Sequence, residues 1–311
     1  MPGKNKSPIF GEISFHSPDF MNKKLSIITV NLNNRDGLEE TIKSVISQTF
    51  SNYEYIIIDG GSTDGSVDII NQYADKITYW VSESDSGTFN AMNKGILKAT
   101  GEYCQFLNSG DILYSETVLS NVFEKDYTED IITGNIIEVH SNKTTLRKGR
   151  PYVREQEGKC LTAFDLFAGS LFHQATFIRR KLFDQYGLYD EKYKIVSDST
   201  FFFNLIALNG IKVKYLDIII VYFDMNGISN VNVSLDEKER EEAFRELLPP
   251  AILDDYMYFR KMELDFHNML KYKISYRSGR FINKLVTLYD IIMQKIYLFI
   301  PNKKRNYERT I

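Results

Sequence analysis

Cysteine, histidine and tryptophan are scarce in this chain: two, four and one among 311 residues. With only Cys104 and Cys160, it builds neither a disulfide framework nor a thiolate metal cluster, and each thiol reads as an ordinary buried one. Neither sign of charge dominates. A formal net charge of −3 gives no global pull toward nucleic acid. No segment reaches the roughly 18 uninterrupted apolar residues of a membrane-spanning helix. The first 24 residues are polar, contain Pro2 and Pro8, and lack the apolar centre of a signal peptide. Together these absences point to a reducing, cytoplasmic setting.

What is present is a core. A hydrophobic content of 43%, with 14% aromatic, is enough to bury one large domain plus an appendage. "KLSIITVNLNN" is a buried strand running into polar residues, and "GLEETIKSVISQTF" then places Leu38, Ile42, Val45 and Ile46 at helical spacing. "YEYIIIDGGSTDGS" is a second strand and turn, followed by the helical "VDIINQYADK". A third strand, "ITYWVSES", leads through the helical "DSGTFNAMNKGILKATG" to a fourth, "EYCQFLNSGD". Strands alternating with helices predict a parallel α/β sheet.

In such sheets ligands bind outside the carboxyl ends of the strands. Polar clusters stand at those ends: Asn31 to Asn34, Asp59 to Ser62, Ser84 to Ser86, and Asn108 to Asp111. They describe a site for a polar, phosphorylated ligand. "DGGSTDG" does not fit G-x-G-x-x-G, and "GTFNAMNKG" lacks the Gly-Lys-Ser/Thr of a P-loop. Gly60 and Gly61 instead allow a tight turn, which would leave Asp59 exposed to accept from N–H donors such as those of a nucleobase.

The ordered series "SIITVNLNN", "SVISQTFSNYEYIIIDGGSTDGS", "SESDSGTFNAMNKGILKATGEY", "FLNSGD", "HQATFIRRKLFDQYGLYDEKYKIVSDSTFFFNLIALNG" and "GIS" resembles the family 2 glycosyltransferases that build bacterial polysaccharides. The resemblance implies a GT-A fold: a mostly parallel, Rossmann-like α/β sheet flanked by helices, with a helical C-terminal extension. It covers a catalytic domain at 25–230; composition sets apart a polar extension at 1–24 and a helical region at 231–311, which opens on "SLDEKEREEAFRELLPP", an acidic-basic surface helix ended by Pro249 and Pro250. Within the domain, 25–111 would bind nucleotide and 112–230 the acceptor.

The resemblance also assigns residues. Asp111 matches the last carboxylate of a D-x-D-type motif, which binds a divalent cation, Mn2+ or Mg2+, on the diphosphate of a nucleotide-sugar donor. Such hard cations take oxygen ligands and accept several from phosphate and water. Asn108 and Gly110 stand where aspartates are common in that motif, so charge at the site is reduced. Asp59 matches a base-contacting aspartate, and Val30, Asn31 and Leu32 the segment lining the base pocket. Asp85, Asn108, Ser109 and Gly110 complete the nucleotide-binding set, with a UDP-sugar as the usual donor.

Asp198, in "YKIVSDSTFFFNLI", matches the family's catalytic base, while the residue alone reads equally as a helix N-cap. His173, in "LFHQATFIRR", is either a core histidine or a group near acceptor and diphosphate. From Lys271 to Ile311 the chain turns basic and aromatic, with only Asp290 and Glu308 as acids. That stretch suits either an anionic membrane surface, placing the enzyme peripherally on the membrane's inner face, or packing on the core. Two function classes follow: inverting transfer of a sugar to a glycan or lipid-linked acceptor in cell-surface polysaccharide biosynthesis, or a catalytically silent nucleotide-sugar binder. A nucleotidyltransferase would want a basic, Gly-rich loop after the first strand, which "NLNNRDG" does not supply.

Overall fold

The computed structural model describes residues 9–10, 23–140, 143–149, 161–225 and 232–273. Cys160, the "GIS" segment and the basic stretch beyond Lys273 lie outside the described residues, as does most of the N-terminal extension.

Every residue of β2 (Leu25–Asn31) is buried, as a strand covered on both faces requires. Around it the chain winds β3 (Tyr53–Asp59), β4 (Tyr79–Ser82) and β5 (Tyr103–Phe106), all parallel in the order β4-β3-β2-β5. The connections are α1 (Arg35–Ile46), α2 (Ser66–Gln72) and α3 (Thr88–Lys98). α1 buries Leu38, Ile42 and Val45 and is capped by Asn34, whose side chain accepts from the Gly37 N–H. On the outer edge the short β1 (Ile9–Phe10) pairs antiparallel with β4, so part of the polar extension joins the sheet.

The second half is mixed. β6 (Ile112–Leu113), β7 (Ile131–His140), β8 (Lys143–Arg147), β9 (Thr176–Arg179) and β10 (Val213–Asp224) continue the sheet as β5-β9-β7-β10-β6, with β8 on β7. β9 runs antiparallel to both β5 and β7, while β10 is parallel to β7. Parallel neighbours need a crossover connection, and the short link from β7 to β8 permits only an antiparallel hairpin. The parallel order expected from strand–helix alternation thus describes the first half, and the complete sheet is mixed.

Helices α4 (Val118–Val122), α5 (Ala163–Gly169), α6 (Lys181–Tyr186) and α7 (Ser197–Phe202) follow, the last running into a π-helical turn at Phe203–Leu208. Phe106, Phe183, Tyr189 and Phe201 form one aromatic cluster beneath α7.

The sequence-based boundary at residue 230 falls short of the compact unit, which continues to Leu253. The reason is α8 (Val233–Leu247), whose buried Phe244 stacks edge-on against Phe167 and Phe203 at 4.8 and 4.9 Å. A second unit begins at Asp254, within α9 (Pro250–Lys273). Among the described residues no helix is long and apolar enough to cross a membrane.

Candidate active site

A cleft of about 780 Å³ opens at the carboxyl ends of the central strands. Val30, Asn31, Leu32, Asp85, Asn108, Ser109, Asp111, His173 and Asp198 all line it. The structure therefore gathers residues scattered over more than half the chain into one site.

The turn after β5 is held from several sides. Ser109 N–H donates to Val30 O at 3.1 Å and Asp111 N–H to Asn108 O at 2.9 Å. Thr41 of α1 donates its hydroxyl to Asp111 O at 2.8 Å and accepts from Gly110 N–H at 2.9 Å. Asn34 Nδ2 donates to Ser109 O at 2.9 Å. Gly110 takes φ +103°, and a Cβ there would also press on the Asp224 carboxylate at 3.1 Å. Gly110 thus shapes the turn rather than lining the cleft.

This scaffold presents Asp111. The residue is only 3% exposed, and its Oδ1 accepts the backbone N–H of Asp224 at 3.1 Å. Burial pushes its carboxyl up from 3.8 to about 7, with the nearby Asp224 charge adding to the rise and His173 opposing it. Asn108 Oδ1 is buried with no hydrogen-bond partner among the described residues. A desolvated carboxylate beside an unpartnered amide oxygen suits a hard divalent cation. Among the described residues no cluster of three or more metal-ligating side chains occurs, so a cation here would draw further ligands from diphosphate and water.

Asp59 corrects the sequence reading. It is fully buried, and its register partners Asn31 and Ser82 flank it across three strands. Asn31 Nδ2 donates to Oδ1 at 2.7 Å, Ser62 Oγ to Oδ1 at 2.6 Å, and Ser82 Oγ to Oδ2 at 2.6 Å. The N–H groups of Gly61 and Ser62 complete the set at 3.2 and 2.9 Å. The tight glycine turn that was to expose this carboxylate instead wraps its own donors around it, and Asp59 is not among the residues lining the cleft. The acceptor that does face the cleft is Asp85, whose carboxyl burial raises. Gly60 makes room for it, since a Cβ there would lie 2.7 Å from Asp85 Oδ2. Asp59→Ala is accordingly expected to cost on the order of 3 kcal/mol of stability by stranding buried donors. A denaturant midpoint close to the parent's would refute that structural role.

Asp198 lies in the first turn of α7, but the helix is not capped by it: the cap position is Val196, with no side-chain bond. Its Oδ1 accepts Ser199 N–H at 2.7 Å and its Oδ2 faces His173 Nδ1 at 3.0 Å. A carboxylate only accepts, so Nδ1 carries the proton. His173 Nε2 is buried with no partner among the described residues. The histidine itself sits on a short 3₁₀ turn fixed by Gln105 Nε2 donating to Gln174 O at 2.9 Å.

Several lining residues escaped sequence reasoning: Ser170, Lys194, Asp224 and Arg240. Asp224 carried a usable signal, because it ends the apolar run "DIIIVYFD" as the other strands end on polar groups. Ser170 carried none.

A half-parallel, half-mixed sheet with a carboxylate turn at the end of its fourth major strand is the architecture of a GT-A-like glycosyltransferase. The family model for glycosyl transferase family 2 matches residues 26–187, and the chain belongs to that family. A glycosyltransferase of PGL/p-HBAD biosynthesis from Mycobacterium bovis is 30% identical over 69% of this chain and 82% of its own length. An uncharacterised glycosyltransferase of Rickettsia typhi is 29% identical over 70% of this chain and 69% of its own. Among solved structures, S. aureus TarS in complex with UDP-GlcNAc shares the fold with a TM-score of 0.57 at 17% identity, covering 75% of this chain and 70% of that one. The mannosyltransferase PcManGT of Pyrobaculum calidifontis, in complex with GDP-Man and Mn2+, gives 0.57 at 18%, covering 88% and 81%.

Proposed function

We propose that this glycosyltransferase moves a sugar from a nucleotide-sugar donor, a UDP-sugar first among them, to a hydroxyl of a glycan or lipid-linked acceptor with inversion, in building cell-surface polysaccharide. The observation that carries the reading is the presence of Asp111 and Asp198 in one cleft. A silent binder of the same fold has use for the first and none for the second.

The chain's own groups divide the work. Val30, Leu32 and Asp85 receive the nucleoside, and Asn108 and Asp111 would hold a divalent cation. When bound, such a cation offsets charge that develops on the leaving diphosphate. On the other side Asp198 takes the proton of the acceptor hydroxyl as its oxygen attacks the anomeric carbon. Its carboxylate is pre-set by two donors, from Ser199 and His173, so orientation is settled before substrate arrives. The test is a screen of nucleotide sugars with Mn2+ and with Mg2+, scoring hydrolysis and transfer to a panel of sugar acceptors. Tight donor binding with no turnover for any of them would favour the silent binder.

His173 acts on this reading through Nδ1, as the positioning residue of Asp198. Asparagine can place an amide N–H near the Nδ1 position, and glutamine near Nε2. His173→Asn is therefore expected to keep most of the parent kcat while His173→Gln loses roughly tenfold or more. The opposite ranking would make Nε2 the working atom.

A further inference from the structure

α5 begins with a capping box between Thr162 and Asp165 and ends at Gly169. A helix commonly ends on a left-handed residue, and glycine is the residue that takes that conformation without strain. Here the glycine comes one position early. Gly169 is still helical, and Ser170 after it takes φ +34° with ψ −177°, a positive-φ conformation outside the left-handed helical well that glycine adopts more readily than serine.

The other non-glycine residue with positive φ among the described residues is Asn33, and its strain is met by bonds. Asn33 N–H donates to Ser62 Oγ at 2.7 Å, and its Oδ1 accepts Thr63 N–H at 2.9 Å. Ser170 has no such return from its side chain. The residue is 9% exposed, and its Oγ is buried without a hydrogen-bond partner among the described residues. A strained backbone and an unmet buried hydroxyl are both unfavourable, and glycine would remove both. Local rules are broken in this way chiefly where a side chain serves a site.

Ser170 is among the residues that line the active-site cleft, with its unmet hydroxyl buried in the cleft wall. It lies three residues before His173, whose ring holds Asp198, and so belongs to the base's side of the cleft rather than to the strand ends that receive the nucleotide. We infer that Ser170 Oγ is an acceptor-binding group, donating to or accepting from a hydroxyl of a sugar or other polyol beside the one that is glycosylated. A serine hydroxyl offers one donor and two acceptor lone pairs, which matches a ligand whose groups are themselves hydroxyls. The inference rests on the transferase reading above and adds the residue and the chemical class of the acceptor.

The decisive variant is Ser170→Gly, with Ser170→Ala as the form that keeps the strain and loses the hydroxyl. Transfer from UDP-glucose, UDP-galactose and UDP-N-acetylglucosamine to p-nitrophenyl monosaccharides with Mn2+ would first identify the fastest pair. With that pair, Ser170→Gly is expected to melt at or above the parent yet show an acceptor KM raised roughly three- to tenfold. Its kcat should change little, as loss of uniform acceptor binding requires. Calorimetry should give UDP and Mn2+ affinity equal to the parent's. Ser170→Ala should match it in KM without the gain in melting temperature. An unchanged acceptor KM in Ser170→Gly would overturn the assignment while leaving transferase activity intact, as would a lowered melting temperature or weakened UDP binding. A parent that hydrolyses a donor but transfers to none of the sugars would overturn the polyol class alone.

Discussion

Asp198→Asn is expected to transfer sugar at least roughly a hundredfold more slowly than the parent, because general-base catalysis contributes about 10²–10⁴-fold. The substitution keeps size and shape and removes basicity. Since α7 is capped at Val196 rather than at Asp198, loss of the carboxylate does not strip the helix of a cap, and the variant should melt near the parent. The Ser199 N–H can still donate to an amide oxygen at this position. Donor binding in the presence of metal should be unaffected, because a base acts on the transition state and not on the bound donor. Steady-state transfer and nucleotide calorimetry on the same folded variant check both halves. Full transfer by Asp198→Asn would leave the enzyme in place and remove this residue as its base.

The second large effect concerns Asp111. Its carboxyl is raised to about 7 by burial, so in the metal-free protein ionisation there works against the fold. The sign follows from linkage: a carboxyl whose folded value lies above its unfolded one is destabilising once pH exceeds the unfolded value, increasingly so up to about 7. A divalent cation needs the ionised form and so competes with the proton. Mn2+ in the presence of UDP should therefore raise the melting temperature strongly at pH 8 and weakly at pH 6. Asp111→Asn should abolish that metal-dependent rise at both values and, without metal, should be at least as stable as the parent at pH 8. Thermal melts across pH with and without Mn2+ measure this directly. Metal-dependent stabilisation that survives in Asp111→Asn would place the cation on other ligands.

These outcomes depend on residues that differ in how readable they were. Strand–turn–helix alternation in the first half was legible because each buried strand is a largely apolar run that leads into a polar cluster, and helical spacing of Leu38, Ile42 and Val45 marks α1. The second half lacks that regularity. β9 enters between β5 and β7 in reverse sense, a pairing that depends on partners distant in sequence and leaves no local pattern. α8 looked like a surface helix, since its charges outnumber its apolar residues. Yet Glu239 accepts the N–H groups of Lys194 and Ile195, and Arg240 donates to Phe167 O at 3.0 Å, so these two buried charges tie the helix to the domain while its other face stays in water.

In the site, the family resemblance and the polar strand ends together gave Asp111, Asp198 and Asp85, which do line the cleft. They gave the wrong environment for Asp59. A sequence shows that a carboxylate ends a strand, but its burial depends on which hydroxyls the neighbouring strands bring into register, here Ser82 from one side and Asn31 from the other.

One contact reaches further than its length. The N–H of Asp224 meets the Asp111 carboxylate although the two residues stand 113 positions apart in the chain. Contacts so distant in sequence are formed late, after the loop between them has been closed. The Asp111 carboxylate acquires its last partner only when β10 has docked. The site is thus completed by the last long strand of the sheet in chain order, and a chain interrupted before that strand would lack the backbone donor that meets the Asp111 carboxylate.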